Sequence, residues 1–264
     1  MRFARVCDTL SKKKKQIDFI CFTLIQTFYL MMAASRRQLR KRVVHMESLD
    51  RIKEEICLVG KLLYDRGYVV SNDGNISVRI AENEILITPS GVGKGRMTTD
   101  MLVRTDLEGN ILEGDRYPSS ESKMHLMVFR QRPDVMSVVH AHPPISTAFA
   151  IARRPLTERY LAEMVVGLGE VPVTEFAMPS TEQVPDSVAP FVADHSAVLL
   201  ANHGALAWGP SLWSAFDRLE VVEQTARIHL YVDRLGGGVE ISPEQAETLR
   251  SMTGFYQKLA GGRQ

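Results

Sequence analysis

The chain has 264 residues, 45% of them hydrophobic, which is enough to bury the core of one sizeable α/β domain and excludes a disordered protein. Its 32 basic and 31 acidic side chains leave a net charge of +1, which excludes any overall attraction to nucleic acid or acidic surfaces, so an anionic ligand needs a local site. Cys7, Cys21 and Cys57 are odd in number and lie in the first quarter of the chain, so no disulfide framework is expected and a reducing, cytoplasmic compartment is.

Residues 1–45 stand apart. Lys12 to Lys15 precede a mostly apolar run from Phe19 to Ala34, and Arg36, Arg37, Arg40, Lys41 and Arg42 follow it. The run is shorter than the roughly 20 residues a membrane span requires, and a second basic cluster directly behind it suits a cleaved signal poorly. Three readings fit: an over-extended start with translation from Met46, a membrane-associated or partner-binding arm, or a secretory signal. The expected division is an arm over 1–45, disordered or a start-site artefact, and one domain over 46–264. A membrane partner is expected only if the arm is real.

From Ser48, the apolar residues Leu49, Ile52, Ile56, Val59 and Leu63 recur with helical period, and Gly67 stops the helix. Asp73-Gly74-Asn75 is a turn signal. Ile76, Val78 and Ile80 then alternate as in a half-buried strand, and Ile85 to Ile87 form its hairpin partner, ending in Thr88-Pro89-Ser90-Gly91. Val92 to Thr99 reads as a glycine-rich basic loop, in which Gly93-Lys94-Gly95-Arg96 could touch substrate but the solvated reading is preferred. A further hairpin joins Leu102–Thr105 to Asn110–Leu112. Ser119 or Ser120 is expected to cap a helix through Met124 and Phe129, with Glu121 in its first turn.

Pro133-Asp134 breaks that helix before a strand from Val135 to His140. Pro144 opens a helix to Ala152. Beyond it the pattern predicts a helix over Leu161–Leu168, a short strand over Val171–Val173, a helix over Ser180–Val192 and a strand over Ala197–Leu200 that leads into Asn202-His203-Gly204. A long helix over Ser211–Leu235 and a last one over Ser242–Leu259 complete the chain. Hairpins join the strands as often as helices do, which points to an α/β fold with a central mixed, mostly antiparallel sheet flanked by helices.

His140, His142 and His203 all stand at exits of apolar strands. The two-residue spacing of the first pair places both imidazoles on one side of an extended chain. Three neutral imidazoles with an open position suit a catalytic divalent ion, Zn2+ first, Mn2+ or Co2+ otherwise. Glu121, at a helix start, is the candidate acid or base. His45, His125, His195 and His229 read as structural. Asn75, Ser90, Gly91, Ser119 and Ser120 lie at ends of short elements, where small hydroxyls and N–H groups can hold a phosphate.

In this order, Gly74-Asn75-Ile76-Ser77, Thr88-Pro89-Ser90-Gly91, Ser119-Ser120-Glu121, His140-Ala141-His142-Pro143-Pro144 and Asn202-His203-Gly204 resemble the class II aldolase and adducin-head family, which includes fuculose-phosphate aldolases and ribulose-phosphate 4-epimerases. The resemblance covers about Ser48 to Leu235. It implies a metal site of His140, His142 and His203, Glu121 as catalytic acid/base, and a phosphate site of Asn75, Ser90, Gly91, Ser119 and Ser120. The implied reaction is cleavage of a ketose 1-phosphate to dihydroxyacetone phosphate and an aldehyde through an enediolate, in a homotetramer. The alternatives are another lyase (a methylthioribulose-1-phosphate dehydratase or a 3-oxo sugar-acid phosphate decarboxylase), a 4-epimerase, and a non-enzymatic adducin-like head. The epimerases carry aspartate where Glu121 stands, and the head is expected to lose metal ligands. Tyr160 and Tyr256 are candidates for a tyrosine lent by a neighbouring subunit, and neither falls cleanly on the pattern.

Overall fold

In the computed structural model, which describes residues 48–261 and their side chains as far as 252, the strands Asn75–Ala81 (β1), Glu84–Ile87 (β2), Val103–Thr105 (β3), Ile111–Glu113 (β4), Ser137–Ala141 (β5), Ala197–Leu200 (β6) and Gly204–Gly209 (β7) form one sheet. Their order is β4-β3-β2-β1-β5-β7-β6, and all six pairings are antiparallel. Among the described residues the one parallel element is an isolated bridge from Val173 to Leu199. The proposed arm over 1–45, with His45, lies outside the described residues. No helix among the described residues is long and apolar enough to cross a membrane.

Helices cover both faces. Ser122–Gln131 (α2) and Gln183–Val188 (α5) close one face, where Met124, Val128, Val138, Val188, Leu206 and Trp208 share a buried cluster. Leu212–Arg234 (α6) and Pro144–Ile151 (α3) lie against β5, β6 and β7 on the other face. Residues 48–65 form helix α1, with Ile56, Val59 and Leu63 fully buried. Ala162–Gly167 (α4) and Pro243–Gly261 (α7) pack on each other.

This double cover corrects the half-buried reading of β1, in which every residue from Asn75 to Arg79 is buried. The alternation there sorts polar from apolar between two interiors. Ser77 faces α2, where its hydroxyl meets His125 Nδ1 at 2.7 Å. Asn75, two residues earlier, points to the same side at the end where α2 begins.

Four further expectations are corrected. Strand β7, absent from the sequence reading, lies between β5 and β6; Gly204-Ala205-Leu206-Ala207-Trp208-Gly209 is uniformly buried and shows neither period. Val171–Val173 makes isolated bridges to Leu156 and Leu199 instead of a strand. The Ser180–Val192 helix is shorter, α5 followed by a 3-10 turn at Ala189–Phe191. The Val92–Thr99 loop contains a 3-10 turn, Lys94–Arg96, and Lys94 is 2% exposed, so the solvated reading fails there.

Candidate metal and catalytic site

The site forms where β1, β5 and the β6–β7 turn end beside the start of α2. On β5, His140 lies two residues beyond Val138 and so shares the face that α2 covers. His142 follows the strand, tied by its N–H to Tyr68 O at 2.9 Å. The segment behind it is held from the opposite face: the buried Glu223 carboxylate of α6 accepts the N–H groups of Ile145 (3.0 Å) and Ser146 (2.8 Å) and so caps α3. Nothing in the sequence pattern marks Glu223 for that task.

His203 arrives on the three-residue turn from Leu200 to Gly204, which the left-handed backbone of Asn202 (φ 55°) closes. Arg153 donates to Asn202 Oδ1 at 2.5 Å and to the carbonyls of Ala150 and Ile151, which braces this turn against the end of α3. Gly204 is required by space. An added Cβ would come within 2.6 Å of His142 Cδ2 and closer still to the Ala141 carbonyl.

The three imidazoles converge with ring centroids 4.7 to 5.0 Å apart. His140 Nδ1 hydrogen-bonds to Ala205 O at 2.9 Å, so Nδ1 carries the proton and the Nε2 lone pair faces the cluster. His140 Nε2 and His142 Nε2 are 3.0 Å apart. Two nitrogens on one zinc at tetrahedral angles stand about 3.3 Å apart, given a bond near 2.0 Å. One nitrogen from each of the three histidines falls within 4.8 Å of the others, so the donor set fits a divalent cation. Burial holds His140 well below the ordinary imidazole value, and burial together with His203 lowers His142, so both are neutral, as ligands must be. Asp73 Oδ2 lies 3.5 Å from His142 Nδ1, an orienting carboxylate that the sequence showed only as a turn residue.

Glu121 is the N-cap residue of α2, a correction to its expected place in the first turn. No side chain caps the helix; the Ser119 hydroxyl instead accepts the Glu121 N–H at 3.3 Å. The Glu121 carboxylate is 2.9 Å from His203 Nε2, 3.3 Å from His140 Nε2 and 2.8 Å from Asn75 Nδ2. Burial raises its pKa, but the hydrogen bonds with the His203 ring and the Asn75 amide act against it, and the net value lies below the usual carboxylate range, so the carboxyl is ionised.

Asn75, Ser90, Gly91, Ser119 and Ser120 all line one cleft of about 180 Å³ that also reaches His142, His203 and Glu121. Two strand-end turns are laced together beneath it. Ser90 N–H goes to Tyr117 O at 3.0 Å and Ser119 N–H to Thr88 O at 3.1 Å. Those amides are spent, so Ser90 and Ser119 offer the cleft their hydroxyls. The Ser119 oxygen accepts from both Asn75 Nδ2 (3.1 Å) and Glu121 N, which leaves its own hydrogen to donate. Gly91 has φ 72°.

The remaining histidines do not join the site. His125 is on the buried face of α2 and His195 meets Phe191 O. His229 is buried against Tyr160, ring centroids 4.9 Å apart, with Glu158 3.3 Å from its Nδ1. The Tyr256 side chain lies outside the described residues.

Residues 54–230 match the family model of the class II aldolase and adducin N-terminal domain. A 3-oxo-tetronate 4-phosphate decarboxylase of Haemophilus influenzae is 34% identical over 184 residues, covering 67% of this chain and 85% of that protein. An L-fuculose phosphate aldolase of Methanocaldococcus jannaschii is 30% identical over 178 residues, covering 67% and 95%. Among solved structures, an L-fuculose 1-phosphate aldolase superposes with a TM-score of 0.73 at 33% identity, over 78% of this chain and 97% of that one.

Proposed function

The chain belongs to the class II aldolase and adducin family, and on that footing we propose that it is a divalent-metal-dependent lyase that breaks a carbon–carbon bond in a phosphorylated keto sugar. The observation that carries this reading is the cleft in which His142 and His203 of the three-histidine cluster and the ionised Glu121 carboxylate meet a set of small hydroxyls. His140, His142 and His203 are the ligands, for Zn2+ or else Mn2+ or Co2+. A divalent cation bound there supplies Lewis acidity worth several kcal/mol of charge stabilisation.

The chain's own residues do the rest. Asn75, Ser90, Gly91, Ser119 and Ser120 anchor the phosphate, which sets the distance from that end to the imidazoles. Cleavage of a 2-ketose 1-phosphate yields an aldehyde and the enediolate of dihydroxyacetone phosphate. Glu121 stands beside His140 and His203 as the proton carrier: in cleavage it takes up the proton that the substrate hydroxyl releases on becoming the aldehyde carbonyl and delivers it to the enediolate carbon, and in the reverse, condensation direction it takes a proton from that carbon. Ionised at rest, it is ready for the second of these.

A second reading is favoured by the Haemophilus relative. Loss of carbon dioxide from a 3-oxo sugar-acid phosphate leaves the same kind of enediolate, and Glu121 would protonate it in the same way. One panel separates the two. The metal-loaded protein is offered ketose 1-phosphates, with dihydroxyacetone phosphate measured, and 3-oxo-tetronate 4-phosphate, with carbon dioxide measured. Dihydroxyacetone phosphate released from a ketose 1-phosphate is the expected outcome. Turnover of 3-oxo-tetronate 4-phosphate alone, which gives carbon dioxide together with dihydroxyacetone phosphate, would move the assignment to decarboxylase, and turnover of neither substrate would overturn the lyase. A homotetramer in the cytoplasm completes the reading, and sedimentation at micromolar concentration checks the first part.

A further inference from the structure

Lys94 is the one Lys or Arg among the described residues that line the cleft, and only 2% of it is exposed. Its Nζ donates to Val92 O at 2.7 Å and to Asn72 O at 3.3 Å. An ammonium has three hydrogens, so one donor remains. Among the described residues no carboxylate comes within ion-pairing distance of it, and a buried cation held only by carbonyls is costly unless an anion completes its shell. The two other charged groups on the cleft wall, Asp73 and Glu121, are both negative. A phosphate carrying nearly two negative charges would therefore meet repulsion and a set of neutral hydroxyls, unless Lys94 faces it.

The chain around Lys94 is built to hold that position. Its two carbonyl partners belong to the turn before Asn75 and to the loop after Gly91, so the ammonium bridges both segments that supply the proposed phosphate contacts. Gly93 and Gly95 flank it where a Cβ would stand 2.7 Å from Ser71 O and 2.6 Å from Tyr64 Cγ. Gly60 of α1 lets the Lys94 backbone approach, its notional Cβ 3.1 Å from Lys94 O.

We propose that Lys94 supplies the positive charge that neutralises the substrate's phosphate group, in addition to bracing the two turns that hold it. This rests on the reading of the cleft as a phosphate site. Burial pushes the Lys94 ammonium down to about 8, against the opposing effect of Asp73 and Glu121, so its charge is lost within an accessible pH range.

Calorimetric titration of the full-length, metal-loaded protein with inorganic phosphate tests the proposal. Replacing Lys94 by methionine (Lys94→Met) is expected to weaken binding about 10- to 100-fold at pH 7.5, the loss of one charge-assisted hydrogen bond, with the metal content unchanged. In the unaltered protein, phosphate affinity is expected to fall about tenfold between pH 7.5 and 9, as Lys94 loses its proton. The charged groups acting on Lys94 are Asp73 on the turn before β1 and Glu121 at the start of α2, and Tyr64 of α1 and Arg96 lie against its neighbours Gly95 and Gly93. All of them remain in Lys94→Arg, whose affinity is expected to lose that fall. A merely structural brace would give parallel pH profiles in the two proteins, and that result would overturn the proposal even if Lys94→Met did not fold. Equal binding by Lys94→Met would overturn it while leaving the phosphate site standing. Failure of the unaltered protein to bind phosphate would overturn both.

Discussion

Glu121 is in reach of Asn75, His140 and His203 at once, and its role is the sharpest question a single substitution can put. Glu121→Gln keeps the shape and the Asn75 contact but removes the proton acceptor. Turnover is expected to drop by about 10²- to 10⁴-fold with the metal still bound, as measured by steady-state kinetics beside elemental analysis. Full activity would transfer the proton to another group. His125 sets a different, structural test. It is fully buried, and burial lowers it to about 3, opposed by Glu121. The unfolded chain takes up a proton on this histidine below about pH 6.5, whereas the folded one does not until near 3. Its contribution to stability is therefore lost as pH falls from 6.5 towards 3, by about 2 kcal/mol at pH 5. Denaturant unfolding at pH 7 and pH 5 should show a smaller acid-induced loss in His125→Gln than in the unaltered protein. At this scale the sequence was legible where residue type and spacing carry the chemistry, as with His140-x-His142 and Ser119-Ser120-Glu121. It marked Asp73 only as a turn residue and Lys94 only as part of a basic loop that could touch substrate, and it was silent on Glu223, because the partners that define these roles include residues 22 to 78 positions away.

The elements explain which of those residues can meet. Strand β7 separates β5 from β6, so His203, at its start, lies beside His140 and His142 on β5 and just after it. The register requires Gly204 at the point where the turn crosses the Ala141 carbonyl. Gly204→Ala should push the turn away from β5, at a cost of about 1–3 kcal/mol from overpacking, and lower the melting temperature by several degrees. The same shift should weaken metal binding in an equilibrium titration. An unchanged metal affinity would mean that the turn backs off without moving His203. The sequence showed β6 but not β7, because a strand buried on both faces has no polar alternation, and its two glycines and two alanines carry little strand propensity. The N-cap of α2 was expected one or two residues too early, at Ser119 or Ser120 instead of Glu121. Ser119 looks like a cap, yet its hydroxyl is engaged by Asn75 and by the Glu121 N–H.

At the scale of the molecule, the sheet is closed on both faces, and the strand ends that gather the histidines lie beside the start of α2. A cation held by residues from β5 and the β6–β7 turn would link segments more than 60 residues apart, so it should stabilise the whole fold. Stripping it with a chelator is expected to remove about 4 kcal/mol when the free ion had stood at about 1,000 times its Kd, seen as a lower melting temperature that zinc restores. No change on stripping would argue against occupancy of the three-histidine site. The sequence by itself determined the antiparallel α/β class and pointed to His140, His142, His203 and Glu121 as one group, because periodicity and short motifs are local properties of the chain. Only the tertiary structure decided that Lys94 is a buried cation in the same cleft, that Asp73 orients His142 and that Glu223 caps α3. Burial and charge pairing belong to the surroundings a residue acquires on folding, and those surroundings come from distant parts of the chain.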